Sequence, residues 1–374
     1  MTLVRCCTCL MPTTRPDTAF IAGECSACVN YKNRPTIDWK AREGELIRIL
    51  EASRNGSGFD CIVPSSGGKD STAQVLRVIE LGFRPLVVTA TTCMLTKVGR
   101  KNIDNLARYA TTIEYPKKGT KEYGPWRRAR RKLNAIGLEM VGDVSYPEHL
   151  AIFSVPFRAA VEHGIPAIVY GENPQREYGG PLGTEEARTM TRRWVMEFGG
   201  LLGLRADDLV GMMGLTEDDM AYYRLPSDDQ MQKVNACFLG QFEPWDSYRN
   251  ARVAIEHGMT KRLPSKANWW DFENLDCALT GIHDHVMYRK YGYGRLCAQI
   301  SVDIRNGLIS RAEAYKVVRE RDGLYPYFYM GVPIFATGFS AAADRFTNWE
   351  IFSHVKNGRP ILKEFAEATC SAAA

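Results

Sequence analysis

Four cysteines near the N-terminus have the spacing of metal ligands. They form two C-x-x-C pairs, Cys6/Cys9 and Cys25/Cys28, and 15 residues separate the pairs. Two turns of this kind can arrange four thiolates tetrahedrally around one ion. Because so short a segment has no apolar core of its own, the binding energy of the metal can drive its folding. The spacing therefore predicts one Zn²⁺ ion in a zinc ribbon.

Two other interpretations of these cysteines are weaker. A redox dithiol would need the strand and helix pattern of a thioredoxin-like fold around it, and the sequence has no such pattern there. Free thiols that cluster by chance would seldom form two matched pairs. Cys7 stands beside Cys6 and is an alternative to it as a ligand.

A second candidate site is the stretch "DCIVPSSGGKDSTAQVLRVIELG", from Asp60 to Gly82. Its apolar run CIVP predicts a short buried strand, and the apolar residues from Val75 onward recur at helical spacing. In a strand, loop and helix unit the backbone N–H groups of the loop point at one spot, where the helix dipole also favours an anion. The stretch therefore predicts a cradle for phosphate.

The side chains of this loop suit that role. Gly67 and Gly68 allow the backbone to approach a phosphate closely. Ser66 and Ser71 can add hydroxyl donors, and Lys69 supplies a positive charge. A Walker A loop is excluded, because an aspartate follows the lysine and no glycine stands at the required distance before it.

The loop "SGGKDS" resembles the pyrophosphate loop of the ATP pyrophosphatases. Members of that family cleave ATP to AMP and pyrophosphate while an oxygen of the substrate becomes adenylated. The resemblance implies ATP and Mg²⁺ as cofactors, and it places Thr89 to Thr92 near the nucleotide. Asp70 and Glu172 are the candidate carboxylates for the metal, because Mg²⁺ prefers oxygen ligands.

The following segments predict an open parallel α/β sheet. Strands are expected at Leu86 to Thr91, in "TTIEYP" and at Ile165 to Gly171. The last of these strands leads directly into "ENPQREYGG". Ligands of open α/β sheets bind at the carboxyl ends of the strands. We therefore expect four residues in the same crevice as the loop, namely Glu172 and the candidate substrate contacts Asn173, Glu177 and Tyr178.

The basic run "RRARRK", residues 127–132, allows two interpretations. It could be a patch for RNA phosphates, or the solvated face of a helix that begins after Pro125. We favour the solvated helix face, because the net charge of +5 is modest for 374 residues and no RNA-binding motif is present.

The last third of the chain is rich in Trp, Tyr and Asp and has helical stretches. In "KYGYGR", Lys290 and Arg295 flank a glycine turn. This turn could bring a second pair of cations to the phosphates, or it could simply end a helix. His283 and His285 are two apart on a predicted helix and face different directions, so we do not expect them to share a metal ion.

The composition is that of an ordinary globular protein, with 45% hydrophobic and 24% charged residues. No apolar run reaches the roughly 20 residues that a membrane helix needs, and the N-terminus lacks a signal-peptide pattern. We expect a cytoplasmic α/β protein with three units. These are a zinc ribbon at 1–35, a parallel-sheet ATP pyrophosphatase domain at 36–226 and a mainly helical region for substrate or partners at 227–374.

Six motifs, spread over nearly the whole chain, together resemble the N-acetyl sugar amidotransferases. They are "CCTCLMPTTRP", "GECSAC", "SGGKDS", "VGRKN", "GENPQREYGGP" and "KYGYGR". The resemblance implies that the chain converts the N-acetyl group of a nucleotide-linked sugar to an acetamidino group, for bacterial O-antigen or flagellin glycans. Uridine-linked uronic acids and cytidine-linked nonulosonic acids both remain open as substrates.

The resemblance also implies partner subunits. The sequence has no cysteine in the nucleophile setting of a glutaminase, so ammonia is expected from a separate glutaminase and a barrel subunit similar to those of imidazole glycerol phosphate synthase. Two rival functions remain. A tRNA-modifying, thiolase-type ATP pyrophosphatase would need RNA binding and usually further cysteine pairs, and a non-catalytic zinc-ribbon scaffold would not need an intact loop.

Overall fold

The N-terminal segment forms a small hairpin that leads into two helices. The strands are β1 (Phe20–Ile21) and β2 (Glu24–Cys25), and the helices are α1 (Ser26–Lys32) and α2 (Trp39–Ala52). The Asp38 side chain caps α2 by accepting a hydrogen bond from the backbone N–H of Ala41.

The computed structural model describes residues 3–56, 58–91, 94–171, 187–329, 332–333 and 340–370.

The centre of the fold is a five-stranded parallel sheet. Its strands are β3 (Cys61–Pro64), β4 (Pro85–Ala90), β5 (Thr111–Tyr115), β6 (Ala167–Tyr170) and β7 (Asn235–Phe238). They lie in the order β5-β4-β3-β6-β7. The strand order therefore reverses between β3 and β6, and the carboxyl ends of these two strands flank the crevice where open α/β sheets bind ligands.

Helices cover both faces of this sheet. They are α3 (Lys69–Glu80), α4 (Lys97–Leu106), α5 (Tyr123–Val141) and α6 (Tyr146–His163). On one face Ile62 and Leu86 pack with α5 and α6, and on the other Val63 and Val87 pack with α2 and α3. Because successive residues of a strand point to opposite faces, strands buried on both sides must be apolar throughout. The runs CIVP and AIVY meet that requirement.

The rest of the described chain is mainly helical. It contains α7 (Arg192–Phe198), α8 (Glu217–Met220), α9 (Asp228–Met231), α10 (Ser247–Glu256), α11 (Thr280–Tyr291), α12 (Arg295–Arg305), α13 (Arg311–Arg321), α14 (Ser340–Arg345) and α15 (Lys363–Cys370). Two short antiparallel hairpins join them, β8 (Phe328–Tyr329) with β9 (Val332–Pro333) and β10 (Phe352–Lys356) with β11 (Arg359–Leu362).

The predicted fold class is confirmed. The N-terminal cysteine segment, the parallel α/β sheet and the helical C-terminal region are all present. The cysteine segment shares one apolar cluster with Tyr288, Leu296 and Phe365 of the C-terminal region. The division of the chain at residues 35 and 226 stays a prediction. Within the described residues, no helix combines the length and the apolar character that crossing a membrane would take.

Candidate active site

The glycine loop lies where β3 ends and α3 begins. The Ser65 hydroxyl accepts a hydrogen bond from the backbone N–H of Gly67 at 3.0 Å and donates one to the Ser71 hydroxyl at 2.9 Å. Gly68 is the residue before the first turn of α3, and no side chain caps that helix. The uncapped backbone N–H groups of the first turn therefore face the crevice, as an anion site requires.

Gly67 allows the loop to pack against α4. Its φ of +77° lies in the left-handed region, and a Cβ atom there would stand 2.7 Å from the backbone nitrogen of Ile103. Both the backbone angle and the contact exclude a side chain. The same helix carries the "VGRKN" motif, in which Gly99 allows a similarly close approach of the Asp276 backbone, with 2.6 Å between a hypothetical Cβ and the Asp276 Cα.

Lys69 is the buried cation of the loop. The residue is 5% exposed, and its Nζ lies 2.8 Å from Glu273 Oε1 while it also donates to the Asp70 carboxylate. Asp70 in turn accepts from Asn250 Nδ2 at 3.0 Å, and Glu273 accepts from Gln299 Nε2 at 2.8 Å. The ammonium group is therefore held in one place by carboxylates from two distant parts of the chain.

A cavity of about 620 Å³ opens in front of the loop, a size typical of ligand sites. Its walls come from the ends of β3, β4 and β6, from α5 and α6, and from the loop that carries Glu273 and Asp276. The predicted residues Ser66, Gly68, Lys69, Asp70, Ser71 and Arg295 all line it. The structure therefore brings the glycine loop and part of the "KYGYGR" motif to one place.

Two carboxyl groups of the cavity, those of Glu273 and Asp276, have shifted pKa values. Burial raises the pKa of Glu273, but the charges of Lys69 and Arg295 outweigh it, so the pKa lies below its usual value. Burial raises the pKa of Asp276 above its usual value, although backbone N–H groups partly oppose the shift. Glu273 is thus held as the anion that pairs with Lys69.

Several predicted residues lie elsewhere. Thr89 is buried in β4 and does not line the cavity, whereas Thr91, directly after the same strand, does. Lys290 lines a different cavity, and its Nζ donates to the carbonyl of Val141 at 2.7 Å. Glu172, Asn173, Glu177 and Tyr178, like Thr92, lie outside the described residues; the preceding residue Gly171 lines the cavity.

Arg130 is a cavity residue that the sequence interpretation missed. Helix α5 spans the basic run, and Arg127, Arg128 and Arg131 are exposed on it, as expected for a solvated face. Arg130 instead is buried, stacks 4.7 Å from the ring of Trp126 and lines the cavity with it. The signal was the tryptophan four residues earlier, because positions i and i+4 share a helix face.

Two other cavity residues offer polar atoms. Gln74 and Thr91 both line the cavity, and within the described part of the chain Gln74 Nε2 and Thr91 Oγ1 have no hydrogen-bond partner. Buried polar groups are nearly always paired, so these atoms are suited to contact a bound molecule.

The four predicted cysteines form one buried cluster. The Sγ atoms of Cys6, Cys9, Cys25 and Cys28 all lie within 4.8 Å of one another, and this group could hold a metal ion. Cys7 is exposed and stands outside the cluster, so the geometry selects Cys6 over its neighbour. Arg311 of α13 donates to the carbonyls of Cys9 at 2.9 Å and Cys6 at 3.1 Å, which ties the cluster to the C-terminal region.

The two histidines of α11 have different surroundings, as their spacing predicts. His285 is buried, and its Nδ1 lies 3.2 Å from the carbonyl of Gly323. Burial lowers its pKa to about 3, which is typical of a neutral structural histidine. His283 pairs with Asp143, with 2.8 Å between Nδ1 and Oδ1.

Comparison with known proteins finds a match for part of the chain. Residues 260–362 match the family model "LPS biosynthesis protein WbpG-like, C-terminal domain". This match is consistent with the N-acetyl sugar amidotransferase resemblance, and the matched range contains Glu273, Asp276 and Arg295. No curated protein matches the chain. Among solved structures, the U34-tRNA thiolase NcsA from Methanococcus maripaludis with its [4Fe-4S] cluster is similar at 11% identity and a TM-score of 0.32, over 86% of this chain and 88% of that chain.

Proposed function

We propose that this chain is an ATP-dependent amidotransferase of the cytoplasm that converts the N-acetyl group of a nucleotide-linked sugar to an acetamidino group. The observation that carries the proposal is the position of Lys69, buried at the reversal of strand order on a glycine loop that faces a large cavity. The match of residues 260–362 to an LPS biosynthesis family supports a sugar substrate.

The first step is adenylation of the amide. The acetamido oxygen attacks the α-phosphorus of ATP, the bond to the bridging oxygen breaks, and pyrophosphate leaves with that electron pair. Lys69 and the N–H groups of the loop stabilise the charge that develops on pyrophosphate, which is the main contribution of a protein to such a transfer. The cations Arg130 and Arg295 line the same cavity and add to the positive potential that stabilises this charge.

The carboxylate of Asp70 suits a Mg²⁺ ion. It lines the cavity next to the loop and offers the oxygen ligands that this cation prefers. In the described part of the chain the cysteines are the one group of three or more side chains close enough to hold an ion alone. Mg²⁺ would therefore take most of its ligands from phosphate and water, and when bound it would neutralise phosphate charge.

The second step replaces oxygen by nitrogen. Ammonia adds to the carbon of the adenylated imidate, the new nitrogen loses a proton, and AMP leaves with the former amide oxygen. The product is an amidinium group, and the proton released finally passes to solvent. The adenylate makes the oxygen a good leaving group, which an unactivated amide lacks.

Ammonia is proposed to come from a separate glutaminase through a barrel-type subunit. A glutaminase needs a reactive thiolate, and reactive thiols have lowered pKa values. Outside the metal cluster, burial instead raises the pKa of Cys237 and of Cys297 to about 12. These buried thiols are therefore unsuited to be the nucleophile.

The four-cysteine cluster is proposed to hold Zn²⁺. Tetrahedral Zn²⁺ with Zn–S bonds of about 2.3 Å needs sulfur atoms about 3.8 Å apart. The Cys6 and Cys28 Sγ atoms are 3.7 Å apart, and those of Cys9 and Cys25 are 3.6 Å apart. The ion would fix the N-terminal segment against α12 and α13 and leave no open position for catalysis.

Release of pyrophosphate from ATP tests the proposed function. The purified chain would be incubated with ATP and Mg²⁺ plus ammonium, in parallel with uridine- and cytidine-linked acetamido sugars, with tRNA, and with no acceptor. Release that depends on an acetamido sugar supports the proposal. Release that depends on tRNA would favour a tRNA-modifying enzyme, and no release with any acceptor would favour a non-catalytic scaffold.

A further inference from the structure

His149 lies between two cavities. It lines the cavity of the glycine loop and also a second cavity of about 420 Å³. The walls of the second cavity come from the N-terminal segment at Arg15, from residues 196–203 and from α11 with the turn after it. In "KYGYGR" the residues Lys290, Tyr291 and Tyr293 line this second cavity, while Arg295 lines the first. The motif therefore extends along both cavities.

The His149 ring has one fixed orientation. Its Nδ1 lies 3.2 Å from the carbonyl oxygen of Gly200 and 3.3 Å from Asp143 Oδ2. Both neighbours are acceptors, so Nδ1 carries the proton and Nε2 of the neutral ring keeps its lone pair. Asp143 also pairs with His283 through its other carboxylate oxygen. The rings of His149 and His283 lie edge to face, with 5.9 Å between their centroids. In the described chain no residue forms a hydrogen bond with Nε2.

The charges around His149 favour the neutral ring at rest. Burial lowers its pKa, and the cationic groups His283 and Arg295 act in the same direction. Asp143 opposes them. Burial raises the pKa of this carboxyl, but its charged neighbours, His283 first among them, hold the pKa well below its usual value, so the group is an anion. A neutral imidazole with a buried anion behind Nδ1 can accept a proton at Nε2, since the anion stabilises the imidazolium that forms.

We propose that His149 is the general base of the second step, the addition of ammonia, and this proposal rests on the proposed function. When ammonia forms its bond to the carbon of the adenylated imidate, the nitrogen becomes positively charged. His149 Nε2 takes one proton from that nitrogen, the nitrogen lone pair is restored, and AMP is expelled with the C–O bonding pair. The imidazolium then returns the proton to solvent, so atoms and charge balance without a further reactant. His283 is a positioning residue that acts through Asp143.

The test separates the two steps. Exchange of labelled pyrophosphate into ATP in the presence of the acetamido sugar reports adenylation, and mass spectrometry of the sugar reports amination. His149→Gln keeps a polar side chain of similar reach but has no base at neutral pH. We expect amination to fall about 10²-fold or more, the usual contribution of a general base, while exchange changes much less. Imidazole added to His149→Ala should restore part of the amination.

A control variant and the pH profile complete the test. His163→Gln lies on the same helix, away from both cavities, and should aminate at the wild-type rate. When the amination rate is divided by the concentration of free NH₃, the remaining acidic limb of the pH profile reports a base on the protein, and it should disappear in His149→Gln. The inference is overturned if His149→Gln aminates normally, or if exchange and amination fall together. If the wild-type chain shows no exchange with any acetamido sugar, the proposed function itself fails.

Discussion

Lys69 Nζ lies 2.8 Å from Glu273 Oε1, although the two residues are 204 positions apart in the sequence. The lysine belongs to the loop at the end of β3, and the glutamate belongs to the segment that precedes α11. Thr96 anchors that segment, because its backbone N–H donates to the carbonyl of Asp276 at 2.8 Å. The proposed phosphate cradle is therefore completed by the C-terminal region rather than by the α/β sheet alone.

The first prediction concerns Lys69→Ala. This change removes the cation that is proposed to stabilise the departing pyrophosphate, so turnover in the pyrophosphate assay should fall by about 10²-fold or more. The far-UV circular dichroism spectrum should stay that of a folded α/β protein. Lys118→Ala, at an exposed position, is the matched control and should keep full activity. Equal rates for both variants, with chemistry limiting, would mean that the cradle is assigned wrongly.

Two glycines with similar backbone angles distinguish strain from contact. Gly82 has a φ of +84° and open space where a Cβ would stand. In Gly82→Ala only the left-handed backbone angle should therefore lower the free energy of unfolding, by about 1–2 kcal/mol. Gly67→Ala has a φ of +77° and also a 2.7 Å contact with the Ile103 backbone, so α4 must move. Urea unfolding should show the larger loss for Gly67→Ala. A smaller loss there than at Gly82 would contradict the packing described.

The four-cysteine cluster predicts one Zn²⁺ per chain. Cys25→Ser removes a buried ligand, so it should lower the zinc content and destabilise the segment packed on α12 and α13. Cys7→Ser changes an exposed cysteine outside the cluster and should retain one equivalent of zinc. Elemental analysis of the purified variants measures both. Less than about half an equivalent in the wild-type chain, with folding unaffected by chelation, would exclude the structural role.

The pair of His283 and Asp143 predicts a pH dependence of stability. Burial lowers the pKa of His283, but the charge and hydrogen bond of Asp143 outweigh it, so the folded-state pKa is raised. The stabilising contribution is therefore complete below the ordinary value near pH 6.5 and is lost as pH rises through the folded-state pKa. Urea unfolding at a series of pH values should show this decline in the wild type. His283→Gln should flatten it, and an unchanged slope would refute the pairing.

Local sequence was enough for the centre of the fold. The expected strands and the helix after the glycine loop are present, with ends shifted by one or two residues, and β4 for instance ends at Ala90 rather than Thr91. This agreement has a physical reason, because an apolar run, a glycine loop and a helical period are each decided within about 20 residues.

The residues that the sequence did not reveal depend on tertiary contacts. Glu273 and Asp276 lie in an irregular segment whose position is fixed by α4, so no periodicity marks them. Arg130 differs from its basic neighbours only in the face of α5 on which it lies, and that face is defined by packing. Lys290 and Arg295 are five positions apart, but one ends α11 and the other begins α12, and they face different cavities.

The most direct test is the mass of the sugar product. The purified chain would be given ATP, Mg²⁺, an acetamido nucleotide-sugar and an ammonium salt at alkaline pH, where free NH₃ is available as the nucleophile. Replacing the carbonyl oxygen by a nitrogen group should lower the product mass by about one unit. The new amidino group is strongly basic, like the side chains of Lys and Arg, and should carry a positive charge. Glutamine should replace ammonium only when the partner subunits are added. No product from ammonium with any acetamido sugar would contradict the proposed function, whereas product formed from glutamine by the chain alone would contradict the proposed need for partner subunits.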